Sequence, residues 1–186
     1  MKVISLDWDD VIYDLSHLIE TMIKLETGTE LLRCDIGKFK IDDEYPFLTQ
    51  LFSEYELYKN SSIKPGANNF INALKEKYGV DSLQIVTASH SKLDTNKKDE
   101  LIYELTGIQD IVHSGDKKKS LFTNKTILVD DNFHNLMTHI EDNNSNAILC
   151  DFGYGWNQMH KTNKHPLLHV EDSYTNILDK ISKIID

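Results

Sequence analysis

Short apolar runs alternate along the chain with longer stretches whose apolar residues recur at helical spacing. The runs cover residues 3–6, 83–86, 111–112, 127–129 and 147–149, and each ends in a polar cluster. Runs of that kind, bounded by polar residues, predict strands buried on both faces. Between them, residues 70–78, 100–105 and 133–140 read as amphipathic helices. Buried strands alternating with helical segments predict an α/β fold built on a parallel sheet with helices on both sides.

The first two strands stand far apart in sequence. Residues 13–64 hold much more chain than one crossover helix needs. They show helical spacing at Leu18, Ile19, Met22 and Ile23, and again at Leu48, Leu51, Phe52, Tyr55 and Tyr58. Strand character is confined to a short piece around Phe39. The pattern predicts a small helical insertion over 13–64, set into a main domain formed by 1–12 and 65–186. Pro65-Gly66 marks the return to that domain, with a helix starting at Ala67. A last amphipathic helix is expected over 171–185, with Ile177, Leu178, Ile181 and Ile184 on one side.

Of the 186 residues, 40% are hydrophobic, enough for a real core and against disorder. Twenty Lys and Arg against thirty Asp and Glu leave a net charge of −10. Nucleic-acid binders gain affinity from excess cationic charge, so no stable nucleic-acid partner is expected. A small anion in a local pocket remains compatible. Cys34 and Cys150 are far apart and in no CxxC spacing, which predicts neither a disulfide framework nor a zinc site. The opening run reaches Asp7 too early for a signal peptide, and no stretch of about 18 apolar residues offers a bilayer span. A cytoplasmic protein without membrane contact is the expectation. Its oligomeric state is open, a homodimer included.

The sharpest chemical feature is Asp7-Trp8-Asp9-Asp10 at the end of the first run. In open parallel sheets ligands bind at the carboxyl ends of strands, where a curl after the strand would bring Asp7 and Asp9 to one point. The plainer reading is a solvated acidic turn. Thr87 ends the second run and Asp130-Asp131 the fourth. Each has an ordinary alternative, a helix cap for the hydroxyl and a helix N-terminus for the acids. Their conjunction shifts the weight. Four carboxylates at one crevice repel and need a cation, and an all-oxygen set favours magnesium over zinc. Lys117, Lys118 and Lys119 offer organic positive charge nearby, and with Lys92, Lys97 and Lys98 they could form a basic rim. The histidines suggest no zinc: Pro166 separates His165 from His169, and His134 and His139 lack an H-E-x-x-H context. Residues 151–157 should lie over the carboxyl edge of the sheet.

Asp7-Trp8-Asp9-Asp10-Val11, Thr87 after a strand, a lysine near 117 and Asp130-Asp131 together resemble the four motifs of the haloacid dehalogenase-like (HAD) superfamily. The likeness frames residues 3 to about 150. It implies a Rossmann-like, doubly wound parallel sheet with a cap inserted after the first motif, where this chain carries its helical insertion. An acid at position 9 is similar to the phosphatase and phosphomutase branch. P-type ATPases place Lys-Thr after their nucleophile, and the dehalogenases lack the second acid.

A narrower likeness is to the 5′(3′)-deoxyribonucleotidases, carried by Asp7, Asp9, Val11, Ile12, Asp14, Lys64-Pro65-Gly66-Ala67, Ile111-Val112, Asp116-Lys117 and residues 127–132. Asp10 stands where that family has Gly, Leu15 where it has Phe and Ser89 where it has Pro. The resemblance implies a magnesium-dependent hydrolase of phosphate monoesters, small molecules such as (deoxy)nucleoside monophosphates. Asp7 would be the nucleophile and Asp9 the general acid and base. Thr87, Ala88 and Lys117 would hold the phosphate oxygens. Asp7, Asp130 and the backbone carbonyl of Asp9 would hold magnesium, with Asp131 in support. Phe39, Tyr45, Phe47 and Phe52 are candidates for a nucleobase slot, although aromatics at such spacing more often fill a cap's own core. The same motifs fit a phosphatase for a sugar phosphate or a polynucleotide 3′-phosphate, or a non-catalytic interaction protein that keeps the fold.

Overall fold

The computed structural model describes residues 3–31, 44–51, 53–88, 95–114 and 126–186. Its strands are β1 (Val3–Asp7), β2 (Leu83–Ala88), β3 (Ile111–Ser114), β4 (Thr126–Asp130), β5 (Ala147–Cys150) and β6 (Leu168–Glu171). The α-helices among the described residues are α1 (Leu15–Thr27), α2 (Leu48–Leu51), α3 (Tyr55–Tyr58), α4 (Ala67–Tyr78), α5 (Thr95–Thr106), α6 (Phe133–Asn143) and α7 (Tyr174–Ile185).

The strands form one sheet in the order β3-β2-β1-β4-β5-β6, and every neighbouring pair is parallel. From β1 the chain builds outward through β2 to β3, then returns to place β4 on the other side of β1. The order therefore reverses between β1 and β4, which opens a crevice at their carboxyl ends. Asp7 closes β1 and Asp130 closes β4, so both acids stand at that crevice. The pairing of Leu6 with Val129 keeps the two strand ends level.

All five residues of β4 are buried, as expected for a strand covered on both faces. The pleat divides them. Ile127 and Val129 join a large apolar cluster with Ile4, Leu6, Ile85, Ile71, Leu74 and Ile177. Leu128 faces the opposite way, into a smaller cluster with Phe133, Leu136 and Ile140 of α6. Between β1 and α4 the described residues form α1, α2 and α3, whose Ile19, Ile23, Leu48 and Tyr58 belong to the larger cluster. A bridge between Tyr13 and Ile63 draws the two ends of this stretch together. The turn into α4 needs Gly66: its φ is +89°, and an added Cβ would meet the Tyr174 ring at 3.3 Å.

The sequence pattern missed one strand. Glu171, expected in the last helix, pairs instead with Cys150 in the β5–β6 ladder. The helix starts at Tyr174, after Ser173 caps it by accepting from the Asn176 amide at 3.3 Å. The strand-like piece around Phe39 lies outside the described residues. Among those described, no helix is long and apolar enough to cross a membrane.

Candidate active site

Carboxylate oxygens of Asp7, Asp130 and Asp131 lie within 4.8 Å of one another, and all three residues are buried. The cap of α6 explains how two consecutive acids reach this point. Asn132 takes the capping position, its side chain accepting from the His134 amide at 2.9 Å and the Asn135 amide at 3.4 Å. That leaves Asp130 and Asp131 to face the crevice. Asp130 is held by the Asn132 amide at 2.8 Å and the Asn135 side-chain amide at 3.1 Å. Asp131 accepts from the Trp156 indole at 2.6 Å. Burial, and then the neighbouring Asp130, Asp10 and Asp7, push the Asp131 carboxyl well above the usual carboxylate range.

Buried carboxylates at this spacing are costly without a compensating cation. The donor set is all oxygen, which suits a hard divalent ion and magnesium in particular. On donor chemistry the cluster fits that ion.

Asp9 sits beside this cluster but sends its side chain elsewhere. Its Oδ2 accepts from Lys98 Nζ at 3.0 Å and from the Thr87 hydroxyl at 3.3 Å. Its Oδ1 accepts from the Tyr58 hydroxyl. The structure thus brings Asp7, Asp9, Thr87, Asp130 and Asp131 to one strand-end crevice, with the Asp9 carboxylate on the Thr87 side. The carbonyl of Ala88 accepts from Lys98 Nζ at 3.1 Å. Lys117, Lys118, Lys119, Lys92 and Ser89 lie outside the described residues.

Lys98 corrects one expectation. The sequence allows it on a basic rim with its neighbouring lysines, yet it is 1% exposed and lies within the site. The reason is the orientation of α5, whose buried face is Lys98, Ile102 and Thr106. A lysine four residues before a buried isoleucine, on the same helical face, was the available signal.

Asp10 follows with a left-handed backbone, φ 62°, where the nucleotidase-like motif has Gly. An aspartate tolerates this conformation when its carboxylate is tied down locally. Here Ser16 supplies its amide at 2.8 Å and its hydroxyl at 2.7 Å. Tyr154 donates to Oδ1 at 3.2 Å. Burial raises the Asp10 carboxyl to about 6 against the lowering effect of Ser16 and Lys64. Nearby, Lys64 and Asp14 form a buried ion pair at 3.2 Å, and Lys64 also donates to the Tyr154 hydroxyl. Tyr154 stacks on Trp156 with ring centroids 4.5 Å apart. The loop over 151–157 therefore reaches Asp10 through one ring and Asp131 through the other.

Of the aromatic residues considered for a base slot, Tyr45 and Phe47 pack edge to face at 6.1 Å and lean on the main apolar cluster. Phe39 and Phe52 lie outside the described residues.

No protein-family model matches the sequence, and comparison with curated proteins gives no match. Solved structures do match. A predicted phosphatase from Clostridium acetobutylicum is 17% identical, with TM-score 0.60 over 98% of this chain and 99% of that one. L-2-haloacid dehalogenase from Xanthobacter autotrophicus, with chloropropionic acid covalently bound, is 10% identical, with TM-score 0.62 over 98% of each chain. D,D-heptose 1,7-bisphosphate phosphatase from B. bronchiseptica, complexed with magnesium and phosphate, is 11% identical, with TM-score 0.52 over 98% of this chain and 99% of that one. At these identities the likeness is one of fold: the chain has the HAD-like, Rossmann-type α/β architecture.

Proposed function

We propose that the chain is a magnesium-dependent hydrolase of phosphate monoesters working through an aspartyl-phosphate on Asp7. The observation that carries this reading is the buried Asp7–Asp130–Asp131 cluster with Asp9, Thr87 and Lys98 beside it. Solved structures of similar fold include both phosphatases and a dehalogenase. The acid at position 9 favours the phosphatase side, because a leaving alkoxide needs a proton and a halide does not.

In the first step an Asp7 oxygen attacks phosphorus in line, dividing one hard displacement into two easier ones. Asp9 hands a proton to the departing ester oxygen, then takes one from the water that cleaves the acyl-phosphate. Thr87, the Ala88 backbone amide and Lys98 hold the nonbridging oxygens, with Lys117 as the other candidate. Lys98 leaves Asp9 for the phosphate when substrate arrives. Asp7, Asp130 and the Asp9 carbonyl would hold the metal, supported by Asp131. A bound magnesium supplies charge that offsets the repulsion between the Asp7 carboxylate and a dianionic ester.

The narrower reading is a 5′(3′)-deoxyribonucleotidase. It rests on the sequence likeness alone, in which Asp14 and Lys64 ahead of Pro65-Gly66 take part. The test is hydrolysis of p-nitrophenyl phosphate, deoxynucleoside monophosphates and sugar phosphates. Each is assayed with magnesium, with EDTA and with Asp7→Asn. Loss of turnover in the last two conditions supports the hydrolase, and preference for deoxynucleotides supports the nucleotidase. Equal rates in all three conditions contradict both.

A further inference from the structure

Tyr58 closes α3 and is 2% exposed, yet its hydroxyl touches the site. It accepts from the Trp8 indole N–H at 2.8 Å and donates to Asp9 Oδ1. An indole N–H can only donate, so the direction of the chain is fixed from indole to phenol to carboxylate. The phenol is itself held in place. The Tyr13 ring lies 5.2 Å from it, and the Tyr13 hydroxyl donates to the Tyr58 carbonyl at 2.9 Å. Lys98 Nζ lies 4.8 Å from the centre of the Tyr58 ring.

We propose that Tyr58 is a positioning residue for Asp9: it clamps Oδ1 and thereby aims Oδ2, which Thr87 and Lys98 hold before Lys98 turns to the phosphate, as the oxygen that delivers the proton. Resting on the hydrolase reading above, this assigns the stretch between β1 and α4 a part in the chemistry. In the step concerned, an Asp7 oxygen bonds to phosphorus as the bond from phosphorus to the ester oxygen breaks. The bonding pair stays on the ester oxygen, which takes the proton from Asp9 Oδ2. Tyr58 neither gives nor receives that proton. Without its hydroxyl the Asp9 carboxyl can rotate away, and the loss falls hardest on esters whose leaving oxygen is strongly basic.

The test uses Tyr58→Phe in the full chain, which deletes the hydroxyl and keeps the ring. With magnesium present, kcat/KM is measured for p-nitrophenyl phosphate, whose phenolate departs with little help. It is measured also for an alkyl ester, the better of a deoxynucleoside monophosphate and a sugar phosphate. The expected loss is about 30- to 100-fold on the alkyl ester and under about 3-fold on the aryl ester. Trp8→Phe should move the ratio the same way by a smaller factor. That ratio does not depend on the fraction of molecules correctly folded, so misfolding cannot imitate the result. Equal losses on both esters, or none, overturn the role of Tyr58 and leave the hydrolase intact. A wild-type chain inactive on every ester contradicts the hydrolase, and this role with it.

Discussion

Lys98 Nζ lies 3.0 Å from Asp9 Oδ2, although the two residues stand 89 positions apart. The contact joins α5 to the curl after β1 and places a buried cation on the Thr87 side of the crevice. On the proposed function, that lysine balances the Asp9 charge before substrate binds and would turn to phosphate oxygens when an ester arrives.

Lys98→Met should lower kcat/KM for phosphate esters by about 100-fold or more, the range for losing one charged donor to a transition state. Lys117→Met made alongside separates the two candidates. A large loss with Lys117→Met and little with Lys98→Met would give the phosphate-binding role to Lys117 instead.

Trp156 supplies the indole N–H that fixes Asp131 at 2.6 Å. Supporting hydrogen bonds of this kind are typically worth 10- to 100-fold in metal affinity. Trp156→Phe should therefore raise the magnesium concentration for half-maximal activity by about tenfold, with KM for the ester nearly unchanged. Titration of activity against magnesium reads this directly, and an unchanged midpoint would remove Trp156 from the site.

Lys64 and Asp14 are a test of stability rather than activity. Their side chains are 6% and 9% exposed, so Lys64→Met takes the paired cation away from a buried carboxylate. Breaking a buried pair in this way costs about 3–5 kcal/mol, seen as a lower urea midpoint. Lys77 and Asp186 form the contrasting pair, with side chains 43% and 60% exposed. Lys77→Met should leave the urea midpoint nearly unchanged, because an exposed pair is screened by water.

Cys150 lies at the end of β5 and is fully buried. Burial, followed by the charges of Asp131, Asp130 and Asp7, pushes its thiol well above the ordinary value. The thiolate is the reactive form, so Cys150 should resist alkylation at mildly alkaline pH until the chain unfolds. Peptide mapping after iodoacetamide treatment checks this, and ready labelling of the native chain would contradict the packing beneath the acid cluster.

What could be read in the sequence follows from how local each feature is. β1, β2 and β4 announce themselves as apolar runs, and Asp7, Thr87 and Asp130 lie at or beside their ends. Asp131 reads in the sequence equally as a helix-terminal acid, and only the capping position of Asn132 leaves it to face the crevice. β6 leaves little trace in the sequence because it is an edge strand whose residues are half-buried or, at Val170, exposed, with His169 and Glu171 interrupting any apolar run. Lys98 and Tyr58 were hidden for another reason. A lysine among polar neighbours and a tyrosine at helical spacing look ordinary, and only the placement of α5 and α3 against Asp9 gives them a part.

The most direct measurement is a crystal structure of the chain with magnesium and fluoroberyllate, a mimic of an acyl-phosphate. The expected result is beryllium bonded to an Asp7 carboxylate oxygen, with magnesium coordinated by Asp7 and Asp130. Fluoroberyllate bound away from Asp7, or magnesium held by residues outside the Asp7–Asp130–Asp131 cluster, would contradict it.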